Sequence, residues 1–310
     1  MNIKLAKKEK IHFIGIGGIG MSGLAIIMTG LGFKIQGSDL LLNKNIDRLR
    51  AKKIHVFIGH KKNNLTDATI IVVSSAIKNN NPEYIIAKKK GLPIYKRGEM
   101  LGHIVSLMKN VVVAGSHGKT TTTSLISAIF NSSKIDPTII NGGVLNSNGN
   151  SAKLGKSNWC ILESDESDGS FLEIPVSYSI ITNVDEEHLD HYKNFDNLKK
   201  SFIKFIEKTP SFGKCYVCLD NKINKEIINK SKNKNILTYG IDHKSNFRIK
   251  NIIQNKNFSK FNLSINVPGQ KYVEIINIQI PIIGLHNIRN ATAAAAVSYT
   301  IGIDEKQIKK

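Results

Sequence analysis

Two glycine-rich turns, one hundred residues apart, constrain this chain more than any other feature of it. Gly15-Ile16-Gly17-Gly18-Ile19-Gly20 follows the apolar run 11–14 and precedes a helical pattern over 21–29 that starts at Met21. Gly115-Ser116-His117-Gly118-Lys119-Thr120 follows the apolar run 111–114 and precedes a second helical pattern over 120–130. Strand, glycine turn and helix in that order bring backbone N–H groups and the positive end of a helix dipole to one place, where an anion can be held. The same order opens a parallel α/β unit, so two such units are predicted.

The rest of the chain agrees. Apolar runs at 33–37, 54–57, 70–73 and 93–95 alternate with helical patterns, as in a parallel sheet with crossover helices, and runs at 159–162 and 178–182 continue the second unit. A hinge is expected over 102–110, giving domains 1–109 and 110–310. From Cys215 to Ile283 short strands punctuated by Asn and Lys predict an antiparallel subsheet. A helix rich in small residues follows over 290–299, and 302–310 reads as a connection.

Composition bears on partners and compartment. The excess of 44 Lys+Arg over 24 Asp+Glu, net +20, raises nucleic acid or an anionic membrane as partners. The lysines, however, are spread along the chain beside Asn and Ile, as at 61–64 and 221–235, which is the pattern of solvated faces. Neither nucleic acid nor membrane is therefore expected as a partner. Cys160, Cys215 and Cys218 cannot form a disulfide framework, and Cys215-x-x-Cys218 lacks a second pair or a nearby His to complete a zinc set. Core packing and a reducing compartment follow. Glycines interrupt the apolar run after the N-terminal lysines, so it does not read as a signal peptide, and no run reaches 18 apolar residues. A cytoplasmic protein is expected.

The chemistry sits at the ends of apolar runs. In the first turn, Asp39 follows Gly20 by 19 positions, the spacing of a dinucleotide fingerprint, so residues 15–20 read as a nucleotide diphosphate site; a glycine turn serving only helix packing is the alternative. The second turn lacks one glycine of a full Walker loop, since position 113 is Val. It keeps the Lys119 and Thr120 needed for phosphate charge and for Mg²⁺. Glu163, Asp165, Glu166 and Asp168 crowd the end of the 159–162 run, and Asp185, His188, Asp190 and His191 follow 178–182. Carboxylates so close repel unless a cation offsets them, so both clusters are expected to converge on Lys119 around a metal. Asn287 and Asn290 would share a helical face and offer a donor and acceptor to an adenine edge, although Asn287 is equally a helix N-cap.

Taken together, residues 13–23, 115–123, 163–171, 182–190 and 286–291 resemble the ATP-dependent Mur ligase family across nearly the whole chain. The fold implied is α/β: an N-terminal Rossmann-like parallel-sheet domain, then a P-loop ATPase-like α/β domain with an antiparallel subsheet. The resemblance implies that Gly15, Gly17, Gly18, Ile19, Gly20, Met21 and Asp39, with Ser74, Ser75 and Ala76, hold a UDP-sugar rather than NAD. It implies that Gly115, Ser116, His117, Gly118, Lys119, Thr120 and Thr121 bind ATP, with Asn287 and Asn290 near adenine. Lys119, Glu163 and His188 would be catalytic, and Thr120, Glu163 and His188 would surround Mg²⁺. The implied activity joins L-alanine to the lactyl carboxylate of UDP-N-acetylmuramate through an acyl phosphate. The family's third domain, which holds the amino acid, is expected to be lacking or separately encoded. Three alternatives remain: a sister ligase adding a preformed peptide, a catalytically silent or split-enzyme nucleotide-binding fragment, and an NAD oxidoreductase suggested by residues 15–20 alone.

Overall fold

Strand β1 (Lys10–Ile14) is buried at every position after its first. A strand buried on both faces belongs in the middle of a parallel sheet covered by helices. In the computed structural model, which describes residues 8–141, 152–167 and 169–310, it takes that place. With β2 (Lys34–Asp39), β3 (His55–Ile58), β4 (Ile70–Val73) and β5 (Ile94–Lys96) it forms a parallel sheet of order β3-β2-β1-β4-β5. The chain reverses its direction of winding between β1 and β4, and the loops leaving those strands border a crevice. Helices α1 (Ile19–Gly30), α2 (Lys44–Ala51) and α3 (Pro82–Lys89) are crossovers between its strands, and α4 (Arg97–Val105) follows the last of them. Asn43 and Asn81 cap α2 and α3 by accepting backbone N–H groups, and Pro82 occupies the first turn, where a missing N–H costs nothing.

Backbone contacts divide the chain into two units, the boundary falling after Leu107. The expected hinge is mostly regular structure: α4 runs through a buried Gly102 to Val105, and β6 (Lys109–Ala114) begins at 109. Residues 152–154, including the short strand β8 (Ala152–Lys153), group with the first unit rather than the second. Leu154 packs there against Gly30, at the end of α1.

In the second unit β6 leads into α5 (Lys119–Ser132). Its sheet runs β15 (Val273–Ile280), β14 (Ser259–Ile265), β13 (Phe247–Gln254), β12 (Ile236–Gly240), β11 (Lys214–Cys218), β10 (Tyr178–Ile181), β6, β9 (Trp159–Glu163), β7 (Thr138–Ile140). Among the described pairings, β13/β14 and β14/β15 are antiparallel. The subsheet thus starts later than Cys215: β11 and β12 remain parallel, because the helix Lys222–Lys230 between them is long enough to return the chain in the same direction. Cys215 and Cys218 are both buried and stand three positions apart on one strand, so they point to opposite faces and cannot share a metal. Burial pushes their thiols up, to about 12 and about 11.

The small-residue helix spans Leu285–Thr300, with Gly284 as its N-cap, so Asn287 lies inside the first turn instead of capping it. From Asn290 to Ser298 every side chain is buried. Four consecutive alanines let this helix approach α5, and Ala293, Ala294 and Val297 share a core with Ile126, Phe130 and Val113. Residues 305–309 form a further helix, capped by Asp304, where a connection was expected.

Candidate functional site

In the first unit, Gly15 adopts φ +82°, a left-handed turn that a side chain resists, and its N–H and that of Ile16 both donate to Ser38 O, at 2.9 and 3.0 Å. A Cβ on Gly15 would also touch Ser74, so the turns after β1 and β4 adjoin. Asp39 accepts Gly17 N–H at 2.8 Å and Leu40 N–H at 2.8 Å. Its carboxylate therefore braces the glycine turn. Gly18 caps α1 with no side-chain hydrogen bond, and no acidic residue stands in that helix's first turn, which begins with Ile19, Gly20 and Met21. The first-turn N–H groups of a helix have no partner within the helix, which suits such a start to an anion. Ser75 and Ala76 are exposed beyond Ser74, whose hydroxyl accepts Ala76 N–H at 3.4 Å.

In the second unit, Gly118 adopts φ +83° and caps α5, again without a side-chain cap. The loop is held by the end of β10. Asn183 accepts Ser116 N–H through its carbonyl and His117 N–H through Oδ1, both at 2.9 Å, and Thr182 Oγ1 donates to His117 O at 2.7 Å. These pinning contacts leave the N–H groups at the start of α5 for an anion. Lys119 curls back over its own loop, donating to Gly115 O at 2.6 Å and Ser116 O at 3.2 Å. It also reaches both carboxylate oxygens of Glu166 at 2.9 Å. Glu166 is 1% exposed, and burial raises its carboxyl above the usual range, with Lys119 opposing the rise.

Thr120 Oγ1 donates to Glu163 Oε2 at 2.9 Å. His188 sits at φ +57°, with Nε2 3.7 Å from Glu166 Oε1 and 3.9 Å from Glu187 Oε2. The His117 ring is exposed and turns towards Glu187, at 3.3 Å. The two clusters thus approach Lys119 through Glu166 and His188, while Glu163 meets Thr120; among the described residues no three His, Cys, Asp or Glu side chains gather to hold a metal. Asp168 lies outside the described residues. Thr121 is half-buried beside Thr120, but Thr122 and Thr123 are buried, their hydroxyls unpartnered, so half of the threonine run packs the core.

A cavity of about 370 Å³ opens beside Gly118. His286, Arg289 and Asn290 line it from the long helix, and Asp220 and Tyr239 from strand ends. Asn290 lies so close to Gly118 that a Cβ there would stand 2.6 Å from Oδ1. Asn287 does not line the cavity; its amide donates to Ile283 O at 2.7 Å. Arg289 Nε donates to Asp220 Oδ2 at 2.7 Å, and Asp220 also accepts Ile241 and Asp242 N–H groups.

The Mur ligase middle domain matches residues 113–298, and the Mur ligase family, catalytic domain, matches residues 10–109. The chain belongs to the Mur ligase family. It is 64% identical over all 310 residues to the UDP-N-acetylmuramate--L-alanine ligase of Pelagibacter ubique, covering 67% of that protein. It is 44% identical over 300 residues to the ligase of the same name from Brucella ovis, covering 64% of it. The chain thus spans about two thirds of the length of these curated relatives. Among solved structures, UDP-N-acetylmuramate-alanine ligase MurC from Thermotoga maritima superposes with a TM-score of 0.78 at 26% identity, over 96% of this chain and 66% of that one. UDP-N-acetylmuramate:L-alanyl-gamma-D-glutamyl-meso-diaminopimelate ligase from Neisseria meningitides superposes at 0.81 with 23% identity, over 97% and 96%; at that identity the likeness is of fold.

Within this Mur ligase chain, sequence reasoning did not single out Glu166, Thr182, Asn183, Asp220, His286 or Arg289 for the contacts they make. Glu166 stood among four carboxylates with nothing in its spacing to mark it as the partner of Lys119. Thr182 and Asn183 were visible only as the residues ending a strand, although that position in a parallel sheet is itself the signal.

Proposed function

We propose that this chain acts in peptidoglycan precursor synthesis, in the cytoplasm, as an ATP-dependent ligase joining L-alanine to the lactyl carboxylate of UDP-N-acetylmuramate. The observation that carries the reading is the start of α5, a helix end without a side-chain cap where Lys119 and Thr120 each meet a carboxylate. In the reaction a carboxylate oxygen attacks the γ-phosphorus of ATP in line and ADP leaves. The amine of L-alanine then attacks the acyl phosphate carbon, losing a proton as phosphate departs. Lys119 and the loop N–H groups serve by stabilising charge on the phosphoryl oxygens. No side-chain nucleophile is required.

The donor set suits Mg²⁺. Thr120 Oγ1 and Glu163 Oε2 are hard oxygens 2.9 Å apart, and adjacent ligand oxygens on an octahedron with bonds of 2.0–2.1 Å stand about 2.9 Å apart. When bound, the cation would neutralise phosphate charge and polarise the γ-phosphoryl group. His188, beside Glu166, is proposed as a further ligand. Glu163→Ala should weaken Mg²⁺-dependent binding of a non-hydrolysable ATP analogue about tenfold or more, while metal-free binding changes little. Calorimetric titration at several Mg²⁺ concentrations decides this; an unchanged metal dependence overturns the assignment.

The first unit is proposed to hold UDP-N-acetylmuramate through residues 15–21, Asp39 and Ser74–Ala76. In thermal shift experiments the UDP-sugar should raise the melting temperature more than NAD, since a ligand bound only by the native state stabilises it by mass action. A larger shift with NAD would reverse the reading of the first turn.

A further inference from the structure

Arg97 opens α4 directly after β5, on the sheet edge that carries the glycine turn. Its guanidinium covers Gly20: a Cβ built on that glycine would stand 3.2 Å from Arg97 Cδ and Nη1 and 3.4 Å from Cζ. The side chain is half-buried, and its nitrogens have no hydrogen-bond or ion-pair partner among the described residues. The acids of this edge are engaged elsewhere. Asp39 accepts the N–H groups of Gly17 and Leu40, and Glu99 accepts Lys96 N–H at 2.6 Å.

A half-buried guanidinium has lost part of its hydration, and here nothing on the protein replaces it. It also rests against the positive end of α1, where a cation is disfavoured and an anion is favoured. Both unfavourable features vanish when two negative charges fill the space between Arg97 and the glycine turn. We propose that Arg97 is a binding residue for the diphosphate of a nucleoside diphosphate, closing from the β5 side on the group that the glycine turn holds from the β1 side. Its planar fork suits two phosphate oxygens at once. Gly20 is then required for space as well as for the turn, since any side chain there would displace the arginine. The inference rests on the reading of residues 15–20 as a nucleotide diphosphate site.

The test uses this chain with UDP and uridine as probes, comparing wild type, Arg97→Ala and Arg97→Lys by calorimetry and competition. Loss of one charge-assisted contact should lower UDP affinity about tenfold or more in Arg97→Ala, leave uridine affinity unchanged, and leave the unliganded melting temperature within a degree or two. Arg97→Lys should recover part of the loss, because charge returns without the fork. UDP binding equal to wild type in Arg97→Ala overturns the inference and leaves the nucleotide reading standing. Equal losses for UDP and uridine also overturn it, since they show a structural effect and no phosphate contact. Absence of UDP binding by the wild-type chain overturns the nucleotide reading, and the inference with it.

Discussion

Lys119→Ala is expected to lower the affinity of this chain for an Mg²⁺-bound ATP analogue about a hundredfold. A lysine in a phosphate loop contributes charge-assisted hydrogen bonds, which are about twice as strong as neutral ones. The substitution has a further consequence in the unliganded protein. Glu166 is 1% exposed and accepts from Lys119 at 2.9 Å. Its folded-state carboxyl already lies above the ordinary value of 4.5, burial being the first cause. An acid raised on folding contributes stability that is complete below its unfolded value and is lost as pH rises through the folded value. Removing Lys119 should steepen that loss, so the variant is expected to be least stable, relative to wild type, at neutral pH and above. Adding Glu166→Gln should restore stability at pH 7 without restoring nucleotide binding. Denaturant melts and calorimetry on the two variants separate these effects. Tight analogue binding by Lys119→Ala, or a double variant no more stable than the single one, would show that the Lys119–Glu166 pair is incidental.

How much of this was legible beforehand depended on whether the signal was local. Both glycine turns, the strands before them and the helices after them were readable, because turn chemistry and apolar periodicity act over ten residues. The start of the antiparallel pairing was not. Whether β12 runs parallel to β11 depends on the helix between them packing on the sheet, and short Asn- and Lys-rich segments look alike in either direction. The long helix began five residues early for a similar reason: Gly284, at φ +105°, caps it without any side chain that sequence patterns would recognise. In the site, residue types were clear and pairings were not. That Lys119 chooses Glu166 while Thr120 chooses Glu163 is set by where β9 ends relative to α5, a tertiary fact.

Glu83→Ala should destabilise the first unit by about 3–5 kcal/mol, the cost typical of stranding the partners of a buried charge. Glu83 was not singled out from the sequence, where it reads as an ordinary first-turn acid of α3, yet its side chain is fully buried. It accepts from His12 Nε2 at 3.2 Å, Ser38 Oγ at 2.5 Å, Asn64 Nδ2 at 2.5 Å and Lys61 N–H at 3.2 Å. Gln36 donates to His12 Nδ1 at 3.3 Å, which leaves the proton of a neutral ring on Nε2, facing Glu83. Burial alone would push the carboxyl up, but the hydrogen bonds from His12, Ser38 and Asn64 outweigh it and hold it below the ordinary 4.5. An acid lowered on folding contributes stability that is present above its unfolded value and lost as pH falls through its folded one. Wild type should therefore lose this contribution below about pH 4.5. Glu83→Gln is the sharper probe, because it keeps the shape while turning an amide donor towards two of the four existing donors, whichever oxygen it replaces, at a cost of about 1–3 kcal/mol. Its deficit against wild type should be constant near neutrality and shrink on acidification. Ser38 carries the effect to the ligand site, since its carbonyl holds the N–H groups of Gly15 and Ile16, so UDP affinity should fall along with stability. Denaturant melts from pH 3 to 7 would overturn this account if the wild-type and Glu83→Gln stability curves ran parallel throughout.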